Sequence, residues 1–134
     1  MTPDVQKQDY AGMGIDLFAG MAVNDFPVAL AWYVRLLGSP PKFFATDTEA
    51  VWELADHRWV FIVQRPEHAG HAIPTILVDD LDARVAQIAA QGLEPSKWET
   101  YSAGARKAIY LDPDGNEIGF AGAHTECPDG WSTA

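Results

Sequence analysis

The feature that most constrains the fold is an internal repeat of one order of elements: strand, helix, then three strands. Alternating apolar residues predict strands, and apolar residues at helical spacing predict helices. The first copy has strands at 15–23, 42–46, 50–55 and 58–64 and a helix at 24–38. The second has strands at 72–78, 96–101, 106–111 and 116–121 and a helix at 79–92. Asp25 and Asp80, 55 residues apart, open the two helices, and Gly38 and Gly92 close them.

This repeat predicts an α+β fold made of two βαβββ modules, residues 15–64 and 72–121, joined by a linker at 65–71. Each module has a helix on one face of its sheet only, so the other face of the sheet has to be buried against another part of the protein. The expected solution is a curved mixed-sheet cup with the helices outside. The 134 residues fit a single domain, with loose termini at 1–14 and 122–134.

Charge and cysteine content exclude several functions. The net charge of −10 argues against nucleic acid and an anionic membrane surface, and weakly favours a cationic ligand. Cys127 is the only cysteine, so the chain forms no internal disulfide. Without a signal peptide or a long apolar run, the sequence predicts a cytoplasmic protein. Curled sheets leave edges to cover, and a homodimer is expected.

The repeated order of elements, together with three segments, resembles a known family. These segments are "VNDFPVALAWYVRLLG", "VDDLDARVAQIAAQG" and "LDPDGNEIGF". The chain resembles the glyoxalase/bleomycin-resistance/extradiol-dioxygenase superfamily over residues 14–122, which implies the vicinal oxygen chelate fold. That fold hosts isomerases, lyases, dioxygenases and antibiotic-binding proteins, so the resemblance indicates fold better than function.

The resemblance also implies where metal enzymes of the superfamily keep their ligands. Counted from the helix starts, the end of the first module and the "DPDG" turn, those positions here are Phe18, Ile62, Ile73 and Gly119. None offers a side-chain lone pair, whereas divalent ions need several nitrogen or oxygen ligands. We therefore predict an apolar, metal-free cup with no cofactor, in which Gly119 leaves room for an organic ligand. The alternative is that these apolar residues fill a core.

Polar residues around the predicted cup supply further site candidates. His71 and Asp16 occupy equivalent places in the two modules, where they can bind a ligand, pair with each other or be unrelated strand-end residues. The other three histidines in the sequence are expected in solvent. Glu53 and Glu117 can point inward and offset positive charge on a ligand, although strand acids more often face solvent.

Aromatic residues complete the predicted ligand-binding set. Trp98, Tyr101 and Tyr110 lie on or beside strands, and rings with carboxylates suit a cationic or planar ligand. By its alternation with Phe61, Trp59 is expected to face the helix.

Three readings of the function follow. The preferred one is a bleomycin-resistance-like protein that sequesters a small organic molecule, possessing no catalytic residues. The alternative is a lyase, isomerase or dioxygenase-like enzyme of the same superfamily with a displaced active site, for which His71 is the first suspect. A protein–protein module with a filled cavity is the third reading.

Overall fold

A computed structural model describes residues 16–101 and 104–123. It contains two four-stranded sheets, with strand orders β1-β4-β3-β2 and β5-β8-β7-β6. The first comprises β1 (Leu17–Val23), β2 (Phe43–Thr46), β3 (Glu49–Ala55) and β4 (Arg58–Gln64). The second comprises β5 (Thr75–Leu77), β6 (Lys97–Thr100), β7 (Ala105–Leu111) and β8 (Glu117–Ala123). In both sheets the first strand of the module pairs parallel to the last, which confirms the repeated α+β architecture.

One helix accompanies each sheet, α1 (Phe26–Leu37) and α2 (Leu81–Ala90). Asp25 caps α1 by accepting a hydrogen bond from the Val28 amide. Asp80 caps α2 in the same way, by accepting a hydrogen bond from the Ala83 amide. Gly38 ends α1 in the left-handed conformation, with φ +78°, and its amide donates to the Val34 carbonyl. No helix among the described residues is long and apolar enough to cross a membrane.

β5 is shorter than the strand predicted at 72–78. Pro74 has no amide hydrogen to give to a ladder, so regular pairing begins at Thr75. The chain before it still follows β8, because the carbonyls of Ala72 and Pro74 accept from the amides of Glu117 and Gly119. β8 runs on to Ala123, two residues past the predicted end of the second module.

The core lies on the helix side of both sheets and is continuous between the modules. Members from the first module include Met21, Tyr33 and Ile62, and members from the second include Tyr110 and Phe120. A shared core of this kind fixes one module against the other.

Polar contacts join the modules at the turn between β7 and β8. Asp112 is buried and accepts from Tyr33 Oη at 2.8 Å and from Asn116 Nδ2 at 2.7 Å. Asn116 Nδ2 also donates to the Ala22 carbonyl at 2.9 Å, so it ties this turn to β1. Burial, with Asp112 beside it, raises the pKa of the Tyr33 hydroxyl far above its usual value.

The linker packs against the same turn. It contains a 3₁₀ turn at Pro66–His68, followed by Gly70 with φ +91°. A Cβ at Gly70 would stand 2.5 Å from the Asp114 carbonyl oxygen, so both the conformation and the space require glycine.

Candidate functional site

Each sheet has a second side that faces away from its helix, which we call the open face. On the first sheet it carries the side chains that alternate with the buried Met21, Val60 and Ile62. The register of β1 against β4 pairs Phe18 with Trp59, Gly20 with Phe61 and Ala22 with Val63 on this face. β3 adds Val51 opposite Phe61 and Glu53 opposite Trp59. The first open face is therefore mainly apolar and aromatic.

Three rings on this face form a group that we call the ring platform: Phe18, Phe43 and Trp59. Phe18 and Trp59 are stacked, with ring centroids 5.3 Å apart and planes 6° apart. Phe43 meets Trp59 edge-on, at 6.4 Å and 69°. Phe18 is 47% exposed and Phe43 is 45% exposed, so ring surface is open to solvent. Such rings can stack on a planar ligand or attract a cation.

Asp16 lies at the edge of the ring platform and holds it in place. One carboxylate oxygen accepts from Trp59 Nε1 at 2.8 Å, and the other bonds to Nδ1 of His57. Both bonds lower the pKa of Asp16, that to His57 most. The same pairing raises the pKa of His57. Asp16 thus stays ionised beside the platform.

Glu53 lies on the same open face and is already paired with a cation. Its carboxylate accepts from Lys42 Nζ at 2.9 Å, and the pair is partly exposed. Because Lys42 offsets its charge, Glu53 adds less negative potential to the platform than the sequence suggested.

Two predicted site residues, Ile62 and Tyr110, lie in the core. The expectation that Ile62 faces the cup is wrong: it is fully buried with Met21 and Val60, and its strand neighbours Phe61 and Val63 take the open face. The converse expectation, that Trp59 faces the helix, is wrong for the same reason. Tyr110 is only 1% exposed, and burial raises the pKa of its hydroxyl to about 12. Neither Ile62 nor Tyr110 can line a cup.

Trp98 and Tyr101 belong to the edge of the second sheet. Trp98 pairs with Ala108, a helix-side residue, and the Arg106 guanidinium lies 5.3 Å from the centroid of its ring. It therefore faces away from the open side, although it is 44% exposed. Tyr101 donates its hydroxyl hydrogen to Glu99, which raises the pKa of Tyr101.

Gly119 does not leave the room that was expected. On the second open face, the stem of Lys107 lies across it, and a Cβ at Gly119 would stand 3.1 Å from the Lys107 side chain. Lys107 Nζ approaches Thr75 Oγ1 at 3.4 Å. Sequence reasoning missed this lysine, because its reach across strands becomes visible only once β7 and β8 are aligned.

Ile73, His71 and Glu117 are all exposed. Ile73 is 73% exposed and lies in the segment before β5. Within the described residues no hydrogen bond joins His71 to Asp16, whose side-chain partners are His57 and Trp59. Of the alternatives left open for His71 and Asp16, their pairing with each other is not seen, and Asp16 pairs with His57 within the first module.

The residues at the superfamily's metal positions do not fit a metal ion. Phe18, Ile73 and Gly119 provide no side-chain donor, and replacing Ile62 by its open-face neighbours Phe61 or Val63 adds none. Across residues 16–101 and 104–123, no group of three or more His, Cys, Asp or Glu side chains could hold a metal.

Comparison with known proteins shows the family to which the chain belongs. The Glyoxalase family, described as the glyoxalase/bleomycin resistance protein/dioxygenase superfamily, matches residues 14–120. The chain belongs to this superfamily. It is similar to a glyoxalase/bleomycin resistance protein from Catenulispora acidiphila DSM 44928, with 54% identity and a TM-score of 0.79, over 82% of this chain and 99% of that one. Among curated proteins, none matches.

More distant structures share the fold alone. A bleomycin-binding protein complexed with bleomycin has 19% identity and a TM-score of 0.65, over 81% of this chain and 98% of that one. Lactoylglutathione lyase from Agrobacterium tumefaciens has 13% identity and a TM-score of 0.66, over 81% and 93%. A binding protein and an enzyme thus lie at similar structural distance, so function has to be argued from the site.

Proposed function

We propose that this protein binds a small planar, cationic organic molecule on its first open face, without a metal ion. The observation that carries the proposal is the exposed ring platform of Phe18, Phe43 and Trp59, with the Asp16 carboxylate at its edge. Stacking and cation–π attraction act on the rings, and the carboxylate favours a positive charge beside them.

Three further features support this class of ligand. The net charge of −10 attracts cations over the whole surface. On the first open face the superfamily's metal position carries Phe18, whose ring favours contact with an organic molecule over an ion. The bleomycin-binding protein of the same fold is complexed with bleomycin, so this fold is compatible with a bulky organic ligand.

We also propose that the protein acts in the cytoplasm as a homodimer in which a second copy covers the second open face and leaves the ring platform of the first free for the ligand. That face exposes large apolar side chains, among them Leu77 and Leu111. Burying these on a second copy gives the hydrophobic gain that association requires. Light scattering of the purified protein is expected to give twice the chain mass; the mass of one chain at all concentrations would contradict the dimer.

The binding test uses a permanent planar cation. We expect metal-stripped protein to bind 1-methylquinolinium saturably in a calorimetric titration, at one site per chain. Trp59→Leu removes the largest ring of the platform and is expected to weaken binding by about tenfold or more. The matched control is Trp98→Leu, which removes another partly exposed tryptophan from the opposite side of the other sheet. It is expected to change affinity by less than about twofold.

The outcomes separate clearly. Equal losses in both variants would show that binding does not depend on the platform, and absence of binding in the wild type would contradict the proposed ligand class. The alternative, an enzyme centred on His71, has no structural support of its own, since His71 is exposed and hydrogen-bonds to no carboxylate in the described part of the chain.

A further inference from the structure

His57, which the ligand argument has not yet used, occupies an unusual backbone position. It lies in the turn between β3 and β4 with φ +63°, and it is the only non-glycine residue with positive φ among those described. Histidine is, with asparagine and aspartate, among the non-glycine residues that adopt this conformation most often. The turn can therefore present an ionisable side chain at this position.

Asp16 links the His57 ring to the ring platform. The Leu17 amide donates to the His57 carbonyl at 3.1 Å, which fixes the turn beside the start of β1. Asp16 precedes that amide and divides its two carboxylate oxygens between His57 Nδ1 and Trp59 Nε1. One carboxylate therefore links an ionisable imidazole to the stacked ring.

From this juxtaposition we propose that His57 and Asp16 form a proton-controlled cation subsite at the edge of the ring platform. The proposal rests on the function proposed above and adds its regulation. With the imidazolium present, the pair has no net charge. When His57 loses its proton, the pair carries one negative charge next to Trp59. A planar cation and the His57 proton then compete for the same carboxylate.

The other carboxylates around His57 act in the same direction. Besides Asp16 from the start of β1, Asp56 in the turn and Glu53 on β3 also raise the pKa of His57. Lys42 is paired with Glu53, and Arg58 follows His57 at the start of β4. The hydrogen bond to Asp16, together with these carboxylates, holds the pKa of His57 above its ordinary 6.5. The switch therefore operates at a pH above the ordinary pKa of a histidine.

The direction of the pH effect follows from the linkage between proton binding at His57 and cation binding. As pH rises through the raised pKa of His57, the imidazolium is lost and the affinity for a cation increases. The pair is well exposed, so we expect a change of about threefold between pH 6 and pH 9. Reciprocally, bound cation lowers the pKa of His57.

The test measures 1-methylquinolinium affinity across that pH range, alongside quinoline, which is neutral there and has the same ring system. We expect cation affinity to rise with pH while quinoline affinity stays flat. His57→Asn should abolish the pH dependence, and asparagine tolerates the left-handed turn, so folding is preserved. NMR titration of the His57 ring should show a lower pKa when the cation is bound.

Each result has a distinct meaning. Cation binding that is independent of pH, or a pH dependence that persists in His57→Asn, overturns the proton control while leaving the proposed function intact. No binding of either probe at any pH overturns the proposed function, and the inference with it.

Discussion

The two sides of the first sheet differ in what covers them, although neighbouring residues of the same strands supply both. On the helix side, α1 covers Met21, Val60 and Ile62, which are almost fully buried. On the open face, Phe18 and Phe43 keep nearly half of their surface in solvent. Burial on the first side stabilises the fold, whereas exposure on the second leaves apolar area for a ligand. Stability and binding should therefore respond to different substitutions within one strand.

The largest effect is expected from Ile62→Ala. Removing a fully buried isoleucine side chain leaves a cavity and should lower the free energy of unfolding by about 3 kcal/mol. The matched control is Val63→Ala, the next residue of β4, which is partly exposed on the open face and should cost less than about 1 kcal/mol. Urea denaturation measures both. A larger loss for Val63→Ala would reverse the assignment of the two sides.

An intermediate effect is expected from Gly20→Ala on the open face. A Cβ there would stand 2.4 Å from Cζ of Phe61, so this ring must swing aside. Because the ring is a movable side chain, the cost should be about 1 kcal/mol in unfolding free energy. Adding Phe61→Leu removes the obstructing ring, and the double variant should lose less than the sum of the single losses. Additive losses would show that the two residues are not in contact.

The order of elements and both helix caps could be predicted from the sequence, because they depend on local period and on residues such as Asp25, Gly38 and Asp80. The face of the sheet to which each residue of β4 points could not be predicted. Five consecutive residues, 59–63, are apolar, so alternation alone assigns neither face, and only the pairing of Phe18 with Trp59 decides. The same uncertainty affected Tyr110, whose side follows from its pairing with Ile118.

The site was predictable in part. Phe18 and Asp16 were found because β1 alternates cleanly, with its buried residues at Met21 and Val23. His57 was expected to be a solvated turn residue, since nothing local indicates that it meets Asp16, 41 residues away. The available signal was the repeat itself: a parallel β1–β4 pair places the start of β4, and the turn before it, beside the start of β1. No comparable signal in the sequence indicated that the Lys107 side chain lies across Gly119.

The most direct test of the central claim is a map of amide chemical-shift changes when 1-methylquinolinium is added to metal-stripped, isotope-labelled protein. The account predicts that the largest changes cluster at the start of β1, at β2 and at the start of β4, around Phe18, Phe43 and Trp59. Changes centred on the second sheet around Lys107, or on the helices α1 and α2, would contradict it.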